Sequence, residues 1–376
     1  MVTPYFYPKV GGLENYAYNF CLGLKNKYKW NVVIITSNHK TKKNTVETLN
    51  RLKIYRLARW FKLSNTPINP RWFWKIKEII KDEKPNIINA HTPVPFIADI
   101  AALAAKEIPL IVTYHAFSIY KNNFTPLNLL ITVYKSFEKL LFKKANKIII
   151  VSDVIKNAIP SEFKNKISVI YNSISSKEIL KSKKKNINKS INIIFISSLD
   201  KSHNWKGLNE ILFSIKLYVD KNKNSNINLS IIGDGNNKQK YKQIVNDFRL
   251  TKNVKFLGKK EGESKNKILR DSSLAIIYPK SSNDAFPTVA LEYWANQLPI
   301  IASNIEPINK LFKNNQTAYL VKPNNPKALA KAIEHVANNR LLSETISSNG
   351  HKELLKKYIL ENEIKKFHLL SKGLAI

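Results

Sequence analysis

Short apolar runs alternate with amphipathic stretches along nearly the whole chain. Runs of four to seven residues rich in Ile and Val have the length of buried strands, whereas apolar residues spaced three and four apart mark helical faces. In the first half the pattern predicts strands at Val32–Thr36, Arg51–Leu57, Asn86–Ala90, Leu110–Tyr114 and Lys147–Val151. The second half gives Ile191–Ser197, Asn228–Ile232, Val254–Leu257, Leu274–Tyr278 and Pro299–Ala302. Helices are predicted at Leu13–Lys27, Trp72–Asp82, Tyr120–Lys144, Thr288–Asn296 and Glu361–Ser371. Strand and helix in strict alternation is the signature of parallel sheets wrapped in helices, an α/β chain. The alternation breaks once, at Ser175–Ser190 (SSKEILKSKKKNINKS), which is polar, lysine-rich and without period. This reads as a linker between a domain of residues 1–175 and one of residues 190–355, with residues 356–376 as a terminal helix.

A chain of 376 residues has room for two such cores, and 44% hydrophobic residues excludes a disordered tail. No charged-then-apolar leader and no bilayer-length apolar run is seen, so a cytoplasmic protein is expected, with peripheral attachment to the inner face of the cell membrane left open. The single Cys21 excludes an internal disulfide and a Cys-based zinc site, and its helical setting predicts a buried small hydrophobe. Net charge is +35, from 62 Lys+Arg against 27 Asp+Glu. Such an excess favours polyanions. The cations are spread rather than gathered, and neither zinc-finger spacing nor an RNP-type motif occurs, so nucleic acid is not expected as a partner. The predicted helices Trp72–Asp82 and Tyr120–Lys144 carry apolar faces edged with lysine. These suit either an anionic membrane surface or plain packing on a sheet.

Several residues stand where ligands collect in open parallel sheets, beyond the carboxyl ends of strands. Gly11 and Gly12 precede a predicted helix, and adjacent glycines let backbone N–H groups approach a ligand. His91 follows one predicted strand and His115 the next. Gly233, Asp234 and Gly235 form a G-D-G turn after another. The stretch NDAFPTVALEYWANQLPIIAS, Asn283 to Ser303, reads as loop, helix, tight connection and buried strand. Pro287 suits the first helical position, where its missing N–H costs nothing. Asp284 lies at the helix mouth and Glu292 about two turns on. The unpaired donors at such a mouth, Phe286 to Val289, favour a phosphate, and a nearby carboxylate accepts hydrogen bonds from sugar hydroxyls.

This stretch resembles the acidic-x7-acidic signature of the retaining glycosyltransferases of family 4, whose pattern reads E-G-F-G/P-x-x-x-L-E-A-x-A-x-G-x-P-V/I-I/V-A-S. Two departures stand out: Asp284 replaces the first Glu, and Asn296-Gln297 replaces a Gly-containing turn. The start, VTPYFYPKVGGLENYAYNFCLGL, is similar to the family's N-terminal motif. There a longer apolar strand precedes this point, so the start reads as internal to the first strand, with a few upstream residues expected to complete it. The segment FISSLDKSHNWKGL resembles the family's second-domain opening, in which an Arg and a Lys clamp a pyrophosphate. Lys206 and Gly207 match, while the Arg is absent and Lys201 or His203 stand as alternatives.

The resemblance implies two Rossmann-like parallel-sheet domains facing a cleft (the B-type glycosyltransferase fold), with the C-terminal helix returning to the first domain. It implies transfer of a sugar from a nucleotide-diphosphate sugar to a saccharide or lipid-linked acceptor, in cell-surface polysaccharide or glycolipid assembly. Lys206 would neutralise the diphosphate, with the Phe286, Pro287, Thr288 and Val289 mouth and the Gly11-Gly12 loop. Glu292 would hold the ribose, Asp284 the sugar hydroxyls, and the Gly233-Asp234-Gly235 turn the nucleoside. His115, and less directly His91, would meet the donor sugar. No D-x-D metal motif occurs, so neither a metal ion nor another cofactor is expected. A nucleotide-sugar 2-epimerase of the same fold and a non-catalytic nucleotide-sugar-binding protein are the alternatives. Donor, acceptor and oligomeric state are not legible.

Overall fold

A computed structural model of the chain describes residues 1–9, 11–63, 66–115, 126–180, 190–222, 226–282 and 286–374. In chain order the elements are β1 (Val2–Thr3), α1 (Gly12–Tyr28), β2 (Val33–Ser37), β3 (Thr45–Leu49), β4 (Leu52–Leu57), β5 (Phe61–Leu63), β6 (Thr66–Ile68), α2 (Trp72–Glu83), β7 (Ile88–Thr92), α3 (Ile97–Ala104), β8 (Leu110–Tyr114), α4 (Pro126–Lys144), β9 (Lys147–Ile150) and β10 (Ile167–Val169). There follow β11 (Ile191–Ile196), α5 (Leu208–Lys221), β12 (Ile227–Ile232), α6 (Lys238–Asp247), β13 (Val254–Gly258), α7 (Gly262–Asp271), β14 (Leu274–Ile277), α8 (Val289–Ala295), β15 (Ile300–Ser303), α9 (Ile308–Leu311), β16 (Tyr319–Val321), α10 (Pro326–Asn338), α11 (Arg340–Lys357) and α12 (Leu360–Lys372). Two compact units result: Met1–Ser173 with Leu360–Ile376, and Ile174–Ile359.

The first unit is built on an eight-stranded sheet of order β10-β9-β8-β7-β1-β2-β4-β3. Its strands are parallel except β3, which runs antiparallel to β4 at the edge. That edge strand, TVETL, is mostly exposed, and its polar positions suit an unpaired side. By contrast β7 and β8 are buried at every residue, as expected of strands covered on both faces. Between them and β2 lies β1, of two residues. It pairs with both neighbours, and the Met1 ammonium donates to Val33 O at 2.7 Å.

The helix α1 buries Tyr16, Ala17, Phe20, Cys21 and Leu24, one face at helical spacing. Burial pushes the Cys21 thiol up to about 12, which leaves it an inert small hydrophobe. Against this face packs α12, with Phe20 and Phe367 edge to face at 5.3 Å. At Gly23 a Cβ would stand 2.0 Å from Ile364 Cδ1, so the glycine permits the close crossing. Glu363 of α12 is 1% exposed, and its Oε2 accepts the Tyr171 backbone N–H at 2.8 Å. That anchors the returning helix to the last segment of its own unit.

The second unit holds a wholly parallel six-stranded sheet of order β13-β12-β11-β14-β15-β16. Phe195, Leu212, Ile231, Ile276, Leu329 and Val336 belong to its core. The expected linker begins too early. Ile174 N–H donates to Tyr358 O, Ser176–Glu178 form a 3₁₀ turn, and Leu180 N–H donates to Ala295 O at 3.0 Å, so residues 174–180 are part of the second unit. The terminal segment of the first unit likewise starts at Leu360, not 356.

Candidate active site

In each sheet the strand order turns at one place. Successive strands lie outward on opposite sides of β1 in the first unit and of β11 in the second. Loops leaving two neighbouring strands there part to opposite faces and open a crevice at the strands' carboxyl ends, the usual ligand position in open parallel sheets. In the second unit this is the gap between β11 and β14.

The loop after β11 carries Lys206 at the end of a 3₁₀ turn, Lys201–Lys206. Asn204 ties that turn down, because its Oδ1 accepts from Asn237 Nδ2 at 2.7 Å and from the Tyr241 hydroxyl at 2.9 Å. Gly207 then turns the chain into α5 at φ 80, and a Cβ there would lie 2.1 Å from Tyr278 O. Lys206 Nζ sits 4.5 Å from the centroid of the Trp205 ring, a cation–π placement that limits its wandering. Of the two expected substitutes for the absent Arg, Lys201 is exposed and His203 partly so, its Nδ1 3.2 Å from Ser202 Oγ.

The G-D-G turn follows β12 and is stitched to the β11 loop. Leu199 N–H donates to Asp234 O and Asn236 N–H to Asp200 Oδ1. Gly233 has φ 145, and a Cβ on it would fall 1.8 Å from Ser197 O. Asp234 accepts from Gly235 N–H at 2.9 Å and from Lys238 Nζ at 3.2 Å, which hold its carboxyl below the usual range.

Past β14, Asp284 lies outside the described residues. Phe286 is buried against Tyr358, with ring centroids 5.4 Å apart, so its side chain belongs to the core. The helix starts later than the sequence suggested. Pro287 and Thr288 precede it, accepting from Ala290 and Leu291 N–H in i→i+3 bonds, and Val289 is its first residue. Glu292 pairs with Lys265 of α7 at 2.9 Å. The tight connection after α8 puts Gln297 at φ 52, the left-handed region that the Gly of the resembled pattern would fill without strain.

In the first unit Gly11 caps α1 and Gly12 opens it, with extended backbone at Gly11. A Cβ on Gly11 would stand 2.3 Å from Glu14 Oε2, so a carboxylate paired with Lys9 at 3.7 Å covers this glycine. Sequence reasoning placed His91 beyond its strand. It lies inside β7, fully buried, because the strand runs on to Thr92. Its Nδ1 is 2.9 Å from His115 Nε2, and the two rings stack with centroids 5.0 Å apart. Of the two, His115 is the less buried, and it directly follows the last residue of β8. Burial lowers both imidazoles, His91 well below its ordinary value, helped by His115 beside it, and His115 to about 3. Tyr16 of α1 meets the His115 ring edge on at 5.2 Å. Tyr16, Asn89, Lys265 and Asn204 were not singled out from the sequence. A signal existed only for Asn89, a polar residue two positions from His91 in an apolar strand.

Residues 176–353 match the family model for glycosyl transferases group 1, and residues 10–178 match that for glycosyltransferase family 4. Between them the two models span both units. Together they make the chain a family 4/group 1 glycosyltransferase. This glycosyltransferase is 26% identical over 373 residues to the uncharacterized glycosyltransferase MJ1178 of Methanocaldococcus jannaschii, covering 95% of this chain and 93% of that one. It is 24% identical over 333 residues to the phosphatidylinositol N-acetylglucosaminyltransferase GPI3 subunit of Saccharomyces cerevisiae, covering 85% of this chain and 70% of that one. Anabaena Alr3699/HepE, solved in complex with UDP, superposes with a TM-score of 0.74 at 15% identity over 99% of this chain and 98% of that one. The glycosyltransferase thus has the B-type fold of two Rossmann-like domains.

Proposed function

We propose that the enzyme transfers a sugar, with retention of configuration, from a nucleotide-diphosphate sugar to a saccharide or lipid-linked acceptor during assembly of cell-surface polysaccharide or glycolipid. The observation that carries this reading is the placement of Lys206 in the loop after β11 and of Glu292 on α8, the helix after β14, on the two connections that flank the β11/β14 gap of the second unit. The UDP in HepE, a protein of the same fold, supports a nucleotide donor. The name of the yeast relative supports a lipid acceptor. In this reading Lys206 and backbone N–H groups meet the charge that develops on the departing diphosphate. Glu292 takes the ribose by exchanging its ion pair with Lys265 for the hydroxyls, and His115 contacts the donor sugar. A neutral imidazole suits that place, since an imidazolium would repel a sugar acquiring oxocarbenium character.

A thermal-shift series with UDP, GDP, ADP and their common sugars, in EDTA, tests the donor half. Ligands that bind the native state raise the melting temperature. One nucleotide is expected to raise it by several degrees without metal. No shift with any of them would sink the reading.

The acceptor half draws on α4. Leu129, Val133, Phe137 and Leu140 are 69%, 52%, 59% and 63% exposed, at spacings of four, four and three that put them on one face. Glu138, Leu141 and Phe142 are buried on the other side, and Lys139, Lys143 and Lys144 are exposed beside the apolar stripe. An apolar face edged with lysine suits the surface of an anionic bilayer. No helix among the described residues is long and apolar enough to cross one. Sedimentation with vesicles of phosphatidylcholine and phosphatidylglycerol should carry the wild type down and leave Leu129→Ser/Phe137→Ser in the supernatant. Equal binding of the two proteins would remove α4 from the reading.

A further inference from the structure

Four polar side chains stand in a row across β7 and β8. Asn89 and His91 are two apart on one strand, Thr113 and His115 two apart around the end of the next, and His91 and Thr113 are register partners. Alternation therefore sends all four to one face of the sheet. Thr113 Oγ1 donates to Asn89 Oδ1 at 2.8 Å, Asn89 Nδ2 is 3.3 Å from His91 Nε2, and His91 Nδ1 is 2.9 Å from His115 Nε2.

The direction of this chain follows from what each group is able to do. The Thr113 side chain is fully buried, and Asn89 Oδ1 is the acceptor the described residues give its hydroxyl proton. Turning the amide over would strand that proton, at a cost of about 1–3 kcal/mol. Held this way round, Asn89 presents its NH₂ to His91. An amide NH₂ only donates, so His91 Nε2 must offer a lone pair. A neutral imidazole without a proton on Nε2 carries it on Nδ1, and that N–H donates to His115 Nε2. The same rule then puts the second proton on Nδ1 of His115. Protonating His91 fully would set an N–H against the amide NH₂.

We propose that Asn89 is a positioning residue that, through His91, fixes His115 as the Nδ1–H tautomer, so that His115 offers a sugar hydroxyl a hydrogen-bond donor and no lone pair. The ligand half rests on the role given to His115 above; the tautomer half does not. A ring fixed in this form is unable to take the acceptor's proton at Nδ1, which removes His115 as a general base.

Long-range ¹H–¹⁵N correlation spectra of protein labelled at histidine read the tautomers directly in the whole enzyme. Both rings are expected to show an unprotonated Nε2 and a protonated Nδ1 at neutral pH. In Asn89→Leu, similar in volume but without the donor, both Nε2 signals should move to the averaged position of mixed tautomers. Turnover should then fall about tenfold, the worth of one hydrogen bond, with donor KM changed less than twofold. If that variant does not fold, Asn89→Asp serves, because a carboxylate requires a proton on His91 Nε2 and the unprotonated signal of that atom should vanish. A protonated Nε2 on either ring of the wild type, or tautomers indifferent to both variants, would overturn the assignment. Tautomers that respond while turnover stays constant would overturn the contact between His115 and the sugar and leave the assignment of Asn89 standing.

Discussion

Replacement of Lys206 by Ala is expected to slow sugar transfer by about 10²–10³-fold, the scale on which removal of one preorganised donor to a developing oxyanion is felt. The charge at issue appears on the diphosphate only as the glycosidic bond breaks. A group that meets it should therefore act on turnover more than on ground-state binding. The setting of Lys206 argues for that role over a plain surface lysine. Its 3₁₀ turn is tied to α6 through Asn204, its Nζ sits over the Trp205 ring, and Gly207 fixes the exit of the chain. Little reorganisation is left for the moment of reaction. Initial rates with the donor chosen by thermal shift, for wild type, Lys206→Ala and Lys206→Arg, measure the effect. Arg keeps the charge in a different shape and should recover part of the rate. A Lys206→Ala enzyme within threefold of wild type would mean that the diphosphate is met elsewhere, with Lys201 the first place to look.

Gly233→Ala should destabilise the second unit by about 3 kcal/mol or more, through steric conflict alone. The added methyl would have to occupy a point 1.8 Å from Ser197 O, a backbone atom at the end of β11, and φ 145 is closed to L side chains. No rotamer relieves this. Either β11 and β12 separate at their carboxyl ends, or the turn rebuilds and Asp234 leaves its place. Gly258→Ala is the matched control, since its φ is 69 but nothing lies within 4 Å of the new atom. Its cost should be near 1 kcal/mol, the backbone term alone. Urea midpoints of the three proteins separate these cases. Equal midpoints for the two variants would show that the turn yields easily, against the rigid stitching described above.

Much of this architecture was legible because burial and period agree. Leu110–Tyr114, LIVTY, is a largely apolar run bounded by Pro109 and His115, and the structure gives β8 the same bounds. The short strands β5, β6, β10 and β16, three residues each, hold too few side chains to show a period. For β3 the reason differs: TVETL is exposed, so no buried face marks it, and pairing with β4 alone makes it a strand. The two-residue error at β7 is the instructive one. Asn89 and His91 look like the polar end of a strand, yet they are buried because Thr113 and His115, on and just beyond the neighbouring strand, partner them. Partnership across the sheet is invisible to a pattern read along one strand. The same holds for Lys265 with Glu292, 27 positions apart in the chain. At Gln297 the resemblance was the better guide, for the missing glycine marks a left-handed residue that the backbone still demands.

The path of α12 has a consequence for how the protein is made. The first unit is assembled from the beginning of the chain and from residues that follow the whole of the second. A ribosome therefore delivers a complete second unit before the first can finish. Until residues 360–372 emerge, the face of α1 that carries Phe20 and Gly23 has no helix to meet, and Tyr171 N–H no carboxylate. The order of maturation should run opposite to the order of synthesis. Nascent chains released before residue 360 are then expected to carry a protected second unit and a protease-sensitive first one.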